Sequence, residues 1–382
     1  LNAIAVALRN DPNMFHIRYW RDHQFELLSE DVVLGKEANL KIMQGFPEEA
    51  ISLYDRLLQQ FPNYYTGYFY RGMAHTAARN YSRASDDFRT SLALATQDWE
   101  NARLAYLQLG KVHQALREFN EATEAYQQAI ELYAPFPEAN LEFGLLQMEL
   151  KNFQAAIDNF NTAINHKFRL GEAYANLGLA ELEAWAQAGS PGDQRDDVFS
   201  KVRQHFERAI EENPNLLSTY LDLAQILEQQ GLSDLAMEKY SDLIAQSSSK
   251  DNPKVSYLAR LRRGNLLFNT GQYQSAIVDY DEALELERDE SGFFNQAQAY
   301  LRTGQTELAL GALRETVRLN INHLPAYQQL GDLALQLNHY TEAAEAYARV
   351  LKLQQEDDNL EGQMNAHLNL GRAYRMLGNR KQ

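Results

Sequence analysis

Along most of the chain, apolar residues recur at intervals of three and four within helix-length stretches, and short polar turns separate those stretches. That spacing places the apolar residues on one face of an α-helix. Three stretches can be laid over one another: "AYANLGLAEL" from Ala173, "AYQQLGDLAL" from Ala326 and "AHLNLGRAYR" from Ala366. Each carries Leu-Gly at the same point of the pattern. Followed along the chain, that small residue falls at Ala38, Gly72, Gly110, Gly144, Gly178, Ala224, Gly264, Ala297, Gly331 and Gly371, in steps of 34, 38, 34, 34, 46, 40, 33, 34 and 40. A modal step of 34 residues marks an internal repeat.

A second small residue stands twelve positions after the first, at Ala50, Ala84, Ala122, Ala156, Ala236, Ala276, Ala309 and Ala343. Val202 takes the place after a longer step. Four residues further comes a ring: Tyr54, Phe88, Tyr126, Phe160, Phe206, Tyr240, Tyr280 or Tyr347, with Leu313 the exception. Between the two small residues lies Gly45, Gly231, Gly271, Gly304, Asn338 or Gly378, residue types that tolerate the left-handed conformation ending a helix. Each repeat therefore reads as a helix, a tight turn and a second helix. The small residues let the two helices approach, and the ring fills the gap between one pair and the next. Pro62 and Pro214 follow second helices, where proline stops them.

Small, small and aromatic at these offsets, repeated nine times, resembles the tetratricopeptide repeat (TPR) family, over about residues 31–382. The resemblance implies an all-α fold, a right-handed superhelical α-solenoid of about nine to ten helix–turn–helix repeats. Residues 1–30 fall outside the pattern: Asp22 does not fit the small-residue slot, and "ALRNDPN" reads as the tail of a second helix from an earlier repeat. Residues 31–250 hold six repeats, with an insertion near 184–198 around "AWAQAGSPGDQRDD" that forms a loop between two lengthened helices. A loop over 251–256 is the candidate break in the superhelix. Residues 257–382 hold three more repeats and the first helix of a tenth, which leaves the apolar stripe of Leu368, Ala373, Met376 and Leu377 uncovered. A solenoid needs a polar cap on its last unit, so the natural chain is expected to continue past Gln382.

Charge and composition narrow the partners. With 36 Lys and Arg against 52 Asp and Glu, the net charge is −16. No basic run is present, which disfavours nucleic acid and anionic membranes, whose phosphates bind through clustered cations. No apolar stretch approaches the ~20 residues of a membrane helix, so direct membrane insertion is not expected. A soluble protein is expected, with the cytoplasm the favoured compartment. The chain has no cysteine, so disulfides, thiolate metal sites and cysteine nucleophiles are excluded.

Signatures of chemistry are missing. No phosphate-cradling glycine loop, GxSxG or HExxH occurs. In "GSPG" (Gly189–Gly192) the serine is displaced from the nucleophile position. His16 and His23 could share a helix face, but two ligands do not make a metal site. "DQRDD" lacks the order of a calcium loop, and "NYS" at Asn80 falls within a helix–turn–helix. No catalytic residue, cofactor or metal is expected.

The resemblance further implies that first helices line a concave groove. In this chain it would present Phe69, Met73 and Lys111, then Leu141, Glu172 and Gln225, then Asn265, Phe268, Phe294, Gln298, Arg302 and Asp332. Such a groove suits an extended peptide or a helix with apolar anchors. The TPR clamp for chaperone C-termini is not matched: Asn265 and Asn295 fit, but Leu261, Pro325 and Gln329 stand where cations are needed. The asparagine ladder of glycosyltransferase-type TPR superhelices is broken by Gln108, Glu142 and Asp222. The expectation is a non-catalytic scaffold or adaptor that binds one or more proteins or peptides. The alternatives are a targeting arm of a larger enzyme and a self-assembling structural solenoid.

Overall fold

The computed structural model describes residues 29–95, 98–132, 134–247, 252–356 and 359–378. The expectations for residues 1–28, including His16, His23 and "ALRNDPN", lie outside them. The described residues form nineteen α-helices. They divide into two compact units, one ending at Gln194 and one beginning at Arg195.

The first unit contains α1 (Ser29–Met43), α2 (Pro47–Gln60), α3 (Tyr65–Ala77), α4 (Tyr81–Leu94), α5 (Trp99–Ala115), α6 (Phe119–Leu132), α7 (Pro137–Glu149), α8 (Phe153–Asn165) and α9 (Leu170–Gln187). The second contains α10 (Arg195–Glu212), α11 (Leu217–Gln229), α12 (Ser233–Gln246), α13 (Pro253–Asn269), α14 (Tyr273–Leu286), α15 (Glu290–Arg302), α16 (Thr306–Leu319), α17 (Leu324–Gln336), α18 (Tyr340–Glu356) and α19 (Leu360–Met376). Within each unit, each helix packs on the next, and first helices also touch: α1 on α3, α3 on α5, α5 on α7 and α7 on α9; then α11 on α13 and α13 on α15. Each unit is thus a stack of helical hairpins, an all-α solenoid.

The small residues and rings explain the pairing. In five hairpins a ring sixteen residues downstream lies flat against a first-helix glycine. A Cβ added to Gly72 would come within 2.8 Å of the Phe88 ring, to Gly110 within 2.5 Å of Tyr126, to Gly144 within 2.5 Å of Phe160, to Gly264 within 2.8 Å of Tyr280, and to Gly331 within 2.7 Å of Tyr347. The ring therefore closes its own hairpin, a correction to the expectation that it fills only the gap between pairs. It does reach onward as well: Phe88 shares a buried cluster with Leu109 and Val112 of α5. The alanines of the same slots, Ala38, Ala224 and Ala297, are fully buried.

In every repeat but that of Gly178, the turn has a left-handed residue seven positions after the small one. Gly45, Gly231, Gly271, Gly304, Gly378 and Asn338 were expected there, with φ between 63° and 81°. Arg79, Arg117 and Lys151 occupy the same place at φ of 60–63° without glycine's freedom.

At the long step, α9 and α10 run 18 residues each, against 13 or 14 in most hairpins, and residues 188–191 and a short 3₁₀ turn at Gly192–Gln194 separate them. The expected loop over 251–256 is shorter than that. Pro253 is the first residue of α13, where its missing N–H costs nothing, and residues 253–256 are helical. The first compact unit ends at Gln194 and the second begins at Arg195.

Candidate functional site

The first helices carry an edge of polar side chains, and second helices hold several of them in place. Buried tyrosines of the second helices send their hydroxyls back to that edge. Tyr54 donates to Asn39 Oδ1 at 2.8 Å, Tyr126 to Gln114 Oε1 at 3.0 Å, Tyr280 to Asn265 Oδ1 at 2.8 Å and Tyr347 to Asp332 Oδ1 at 2.5 Å. Tyr240 donates to Glu228. Burial and these carboxylate or amide partners hold the tyrosine hydroxyls in the protonated form, their pKa values raised first by desolvation. Asn265 and Asp332, expected on the groove face, are each fixed by a tyrosine of their own hairpin.

Polar side chains also link one first helix to the next, from the residue after the small position to the residue two before the following one. In the second unit, Asn295 of α15 donates to Asn265 Oδ1 of α13 at 3.0 Å, and Gln298 of α15 bonds Gln329 of α17 at 2.5 Å. In the first unit the equivalent link is ionic. Lys111 of α5 lies 3.1 Å from Glu142 and 3.5 Å from Glu138 on α7. Arg169, which caps α9, lies 3.8 Å from Glu142 and 3.3 Å from Glu172. Lys111 and Glu172 are therefore parts of one ionic network, a connection that spacing alone did not reveal.

Several residues expected on the open face belong to the core. Leu141 is 1% exposed and packs with Phe160, Ala163 and Leu177, because the neighbouring hairpin covers it. Phe69 meets the Phe88 ring edge-on at 5.6 Å, and Met73 packs on the same cluster. Phe294 packs against the core and has its ring 4.7 Å from that of His323. Phe268 is half-buried with its ring 5.2 Å from Tyr273. Gln225 and Gln298 are partly exposed, and Arg302 and Asp332 are exposed.

Asp222 of α11 was overlooked as a site. It occupies the slot two before Ala224 that Glu142, Asn295 and Gln329 fill in other first helices. Those three are bonded to a neighbouring first helix; Asp222 has no hydrogen bond or ion pair among the described residues. Burial alone pushes its carboxyl up to about 6.

No group of three or more metal-ligating residues occurs among the described residues, and no described helix is long and apolar enough to cross a membrane.

Hairpins closed by a ring on a glycine and stacked first helix to first helix define a class, and comparison with known proteins places the chain in it. The tetratricopeptide repeat model matches residues 36–102, 107–169 and 329–380, and the model of anaphase-promoting complex, cyclosome, subunit 3 matches 264–350. The chain belongs to the tetratricopeptide repeat family. Human tetratricopeptide repeat protein 12 is 31% identical over 201 residues, 50% of this chain and 28% of that protein. Human protein O-mannosyl-transferase TMTC3 is 22% identical over 250 residues, 64% of this chain and 25% of that protein. The chain thus spans about a quarter of the length of these relatives. Among solved structures, the C-terminal part of a TPR repeat-containing protein from Cytophaga hutchinsonii matches with a TM-score of 0.53 and 18% identity, over 68% of this chain and 98% of that one. That likeness shows the fold.

Proposed function

We propose that the chain is a non-catalytic protein-interaction scaffold, and that the first-helix face of its second unit holds an extended protein segment. The observation that carries this reading is the pair of amide links, Asn265–Asn295 and Gln298–Gln329. Asn265 Oδ1 accepts both the Tyr280 hydroxyl and the Asn295 amide. Its own NH₂ group is thereby turned away from both, and Asn295 Oδ1 is left as an acceptor beside it. A donor and an acceptor fixed side by side match a peptide group, and their orientation is set before any partner arrives, which lowers the ordering cost of binding. The corresponding side chains of the first unit neutralise one another, which suits them less to a new partner. Membership of the TPR family supports the general role.

The test is a random peptide display library selected on the whole chain and on an Asn295→Ala/Gln298→Ala variant. Each lost hydrogen bond is worth about 1 kcal/mol, so selected peptides should bind the variant roughly 10- to 30-fold more weakly with a similar melting temperature. Equal binding would sink the reading. Phe294 is not used, because it packs against the core.

A second reading has one supporting observation, the similarity to a protein O-mannosyl-transferase over a quarter of its length. In it, the repeats are the targeting arm of a larger enzyme. A catalytic domain encoded in the same gene would favour it.

A further inference from the structure

The slot two residues before the small position is filled by a polar side chain in most first helices, and its neighbours differ in one respect. Glu142 faces Lys111, Asn295 faces Asn265 and Gln329 faces Gln298. Asp222 faces no such group. Four cations of the helices packed on α11 are paired elsewhere: Arg203 with Glu207, Lys239 with Glu238 and Asp242, Arg260 with Glu282 and Arg263 with Asp279. Arg262 and Lys254 are exposed and form no bond to Asp222. A half-buried carboxylate without a partner opposes folding, so its presence on the face that meets a partner calls for another explanation.

We propose that Asp222 is the acidic contact for a basic side chain, lysine or arginine, on the segment held along the first-helix face of the second unit. The inference rests on the groove reading above. Three features fix the chemistry. A partly desolvated carboxylate gains most from a charge-assisted bond, which a cation supplies and a backbone N–H supplies less strongly. Leu221 and Gln225 stand beside Asp222 on the helix and are only partly covered. An aliphatic stem can lie along Leu221 while its charged head reaches the carboxylate. The chain's net charge of −16 draws basic segments toward it.

The experiment selects the same random peptide library on the whole chain, on Asp222→Asn and on Asn295→Ala/Gln298→Ala. Wild-type selections should converge on peptides with Lys or Arg at one fixed position. Replacing that residue by Met in a selected peptide should weaken binding to the wild type at least tenfold, and binding to Asp222→Asn should change less than twofold. Asp222→Asn should still select peptides, without the fixed basic position. Two results overturn the inference: wild-type peptides with no fixed basic residue, or Asp222→Asn selecting the same Lys or Arg at the same frequency. If the double variant selects as the wild type does, the groove reading itself fails, whatever Asp222 does. The Met-substituted peptide gives its answer on the wild-type protein alone, so the outcome does not depend on how well the variant folds.

Discussion

At the scale of single residues, two glycines in the same slot have opposite surroundings. Gly331 lies under Tyr347, and a Cβ there would come within 2.7 Å of the ring; at Gly371 a Cβ would meet nothing within 4 Å. Gly331→Ala should destabilise by about 1–3 kcal/mol through overpacking, and a larger side chain such as Gly331→Leu by at least as much. Gly371→Ala should be neutral or stabilise by up to about 1 kcal/mol, since alanine is the better helix former. Denaturant melts of the two variants check the register of the whole repeat, and equal effects would count against it. Asp222 makes a second residue-level prediction. Burial pushes its carboxyl from the ordinary 3.8 up to about 6 in the folded chain, so the folded state binds the proton more tightly. Its contribution to stability is fully present below about pH 4 and is lost as pH rises through about 6. Asp222→Asn should therefore match the wild type at pH 4 and exceed it at pH 8, by roughly 2 kcal/mol at most. Urea melts at the two pH values test the sign.

At the scale of elements, four hairpins fill one pair of positions in two contrasting ways. In α3 and α4, Arg71 grips Asp87 with bonds of 2.8 and 2.6 Å and also reaches Asp55 at 2.7 Å. In α13 and α14, Arg263 grips Asp279 at 2.7 and 2.6 Å. In two other hairpins the corresponding pairs are Leu109 with Ala125 and Leu330 with Ala346, buried and apolar. Asp87 and Asp279 are themselves buried. Arg71→Leu alone should cost about 3–5 kcal/mol by leaving Asp87 without its cation, whereas Arg71→Leu with Asp87→Ala should recover most of the loss. A double-mutant cycle in thermal unfolding would show it, and additive losses would refute it. Much of the hairpin was legible in the sequence because the small residues and rings repeat at fixed offsets. The turns at Arg79, Arg117 and Lys151 were not, since long cations do not advertise a left-handed backbone. The open face was only half legible. The offsets name slots along the first helices, but they could not show that Leu141 is covered by its neighbour, that Asn265 is tied to Asn295, or that Asp222 has no companion.

At the scale of the whole molecule, the chain consists of two compact units, each with its own stack of hairpins. Residues 186–190 and 192–197 around their junction are exposed, and they include two glycines. Exposed segments of this kind are where proteases cut folded chains. Brief digestion at low protease ratio should first yield two fragments separated near residues 188–195, which mass spectrometry would identify. First cuts spread over many hairpin turns would contradict the division.

The matched pairs across each hairpin also bear on how such a chain can be inherited. Repeated genes recombine out of register. A crossover that joined α3 to the second helix of the following repeat would bring Arg71 against Ala125, and one joining α5 to α4 would bring Leu109 against Asp87. Either product buries a charge with no counterpart, a cost of several kcal/mol, while an exchange made in the loops between hairpins keeps each pair whole. The Arg–Asp and Leu–Ala pairs therefore make the complete hairpin the smallest piece that can be duplicated, lost or traded without penalty.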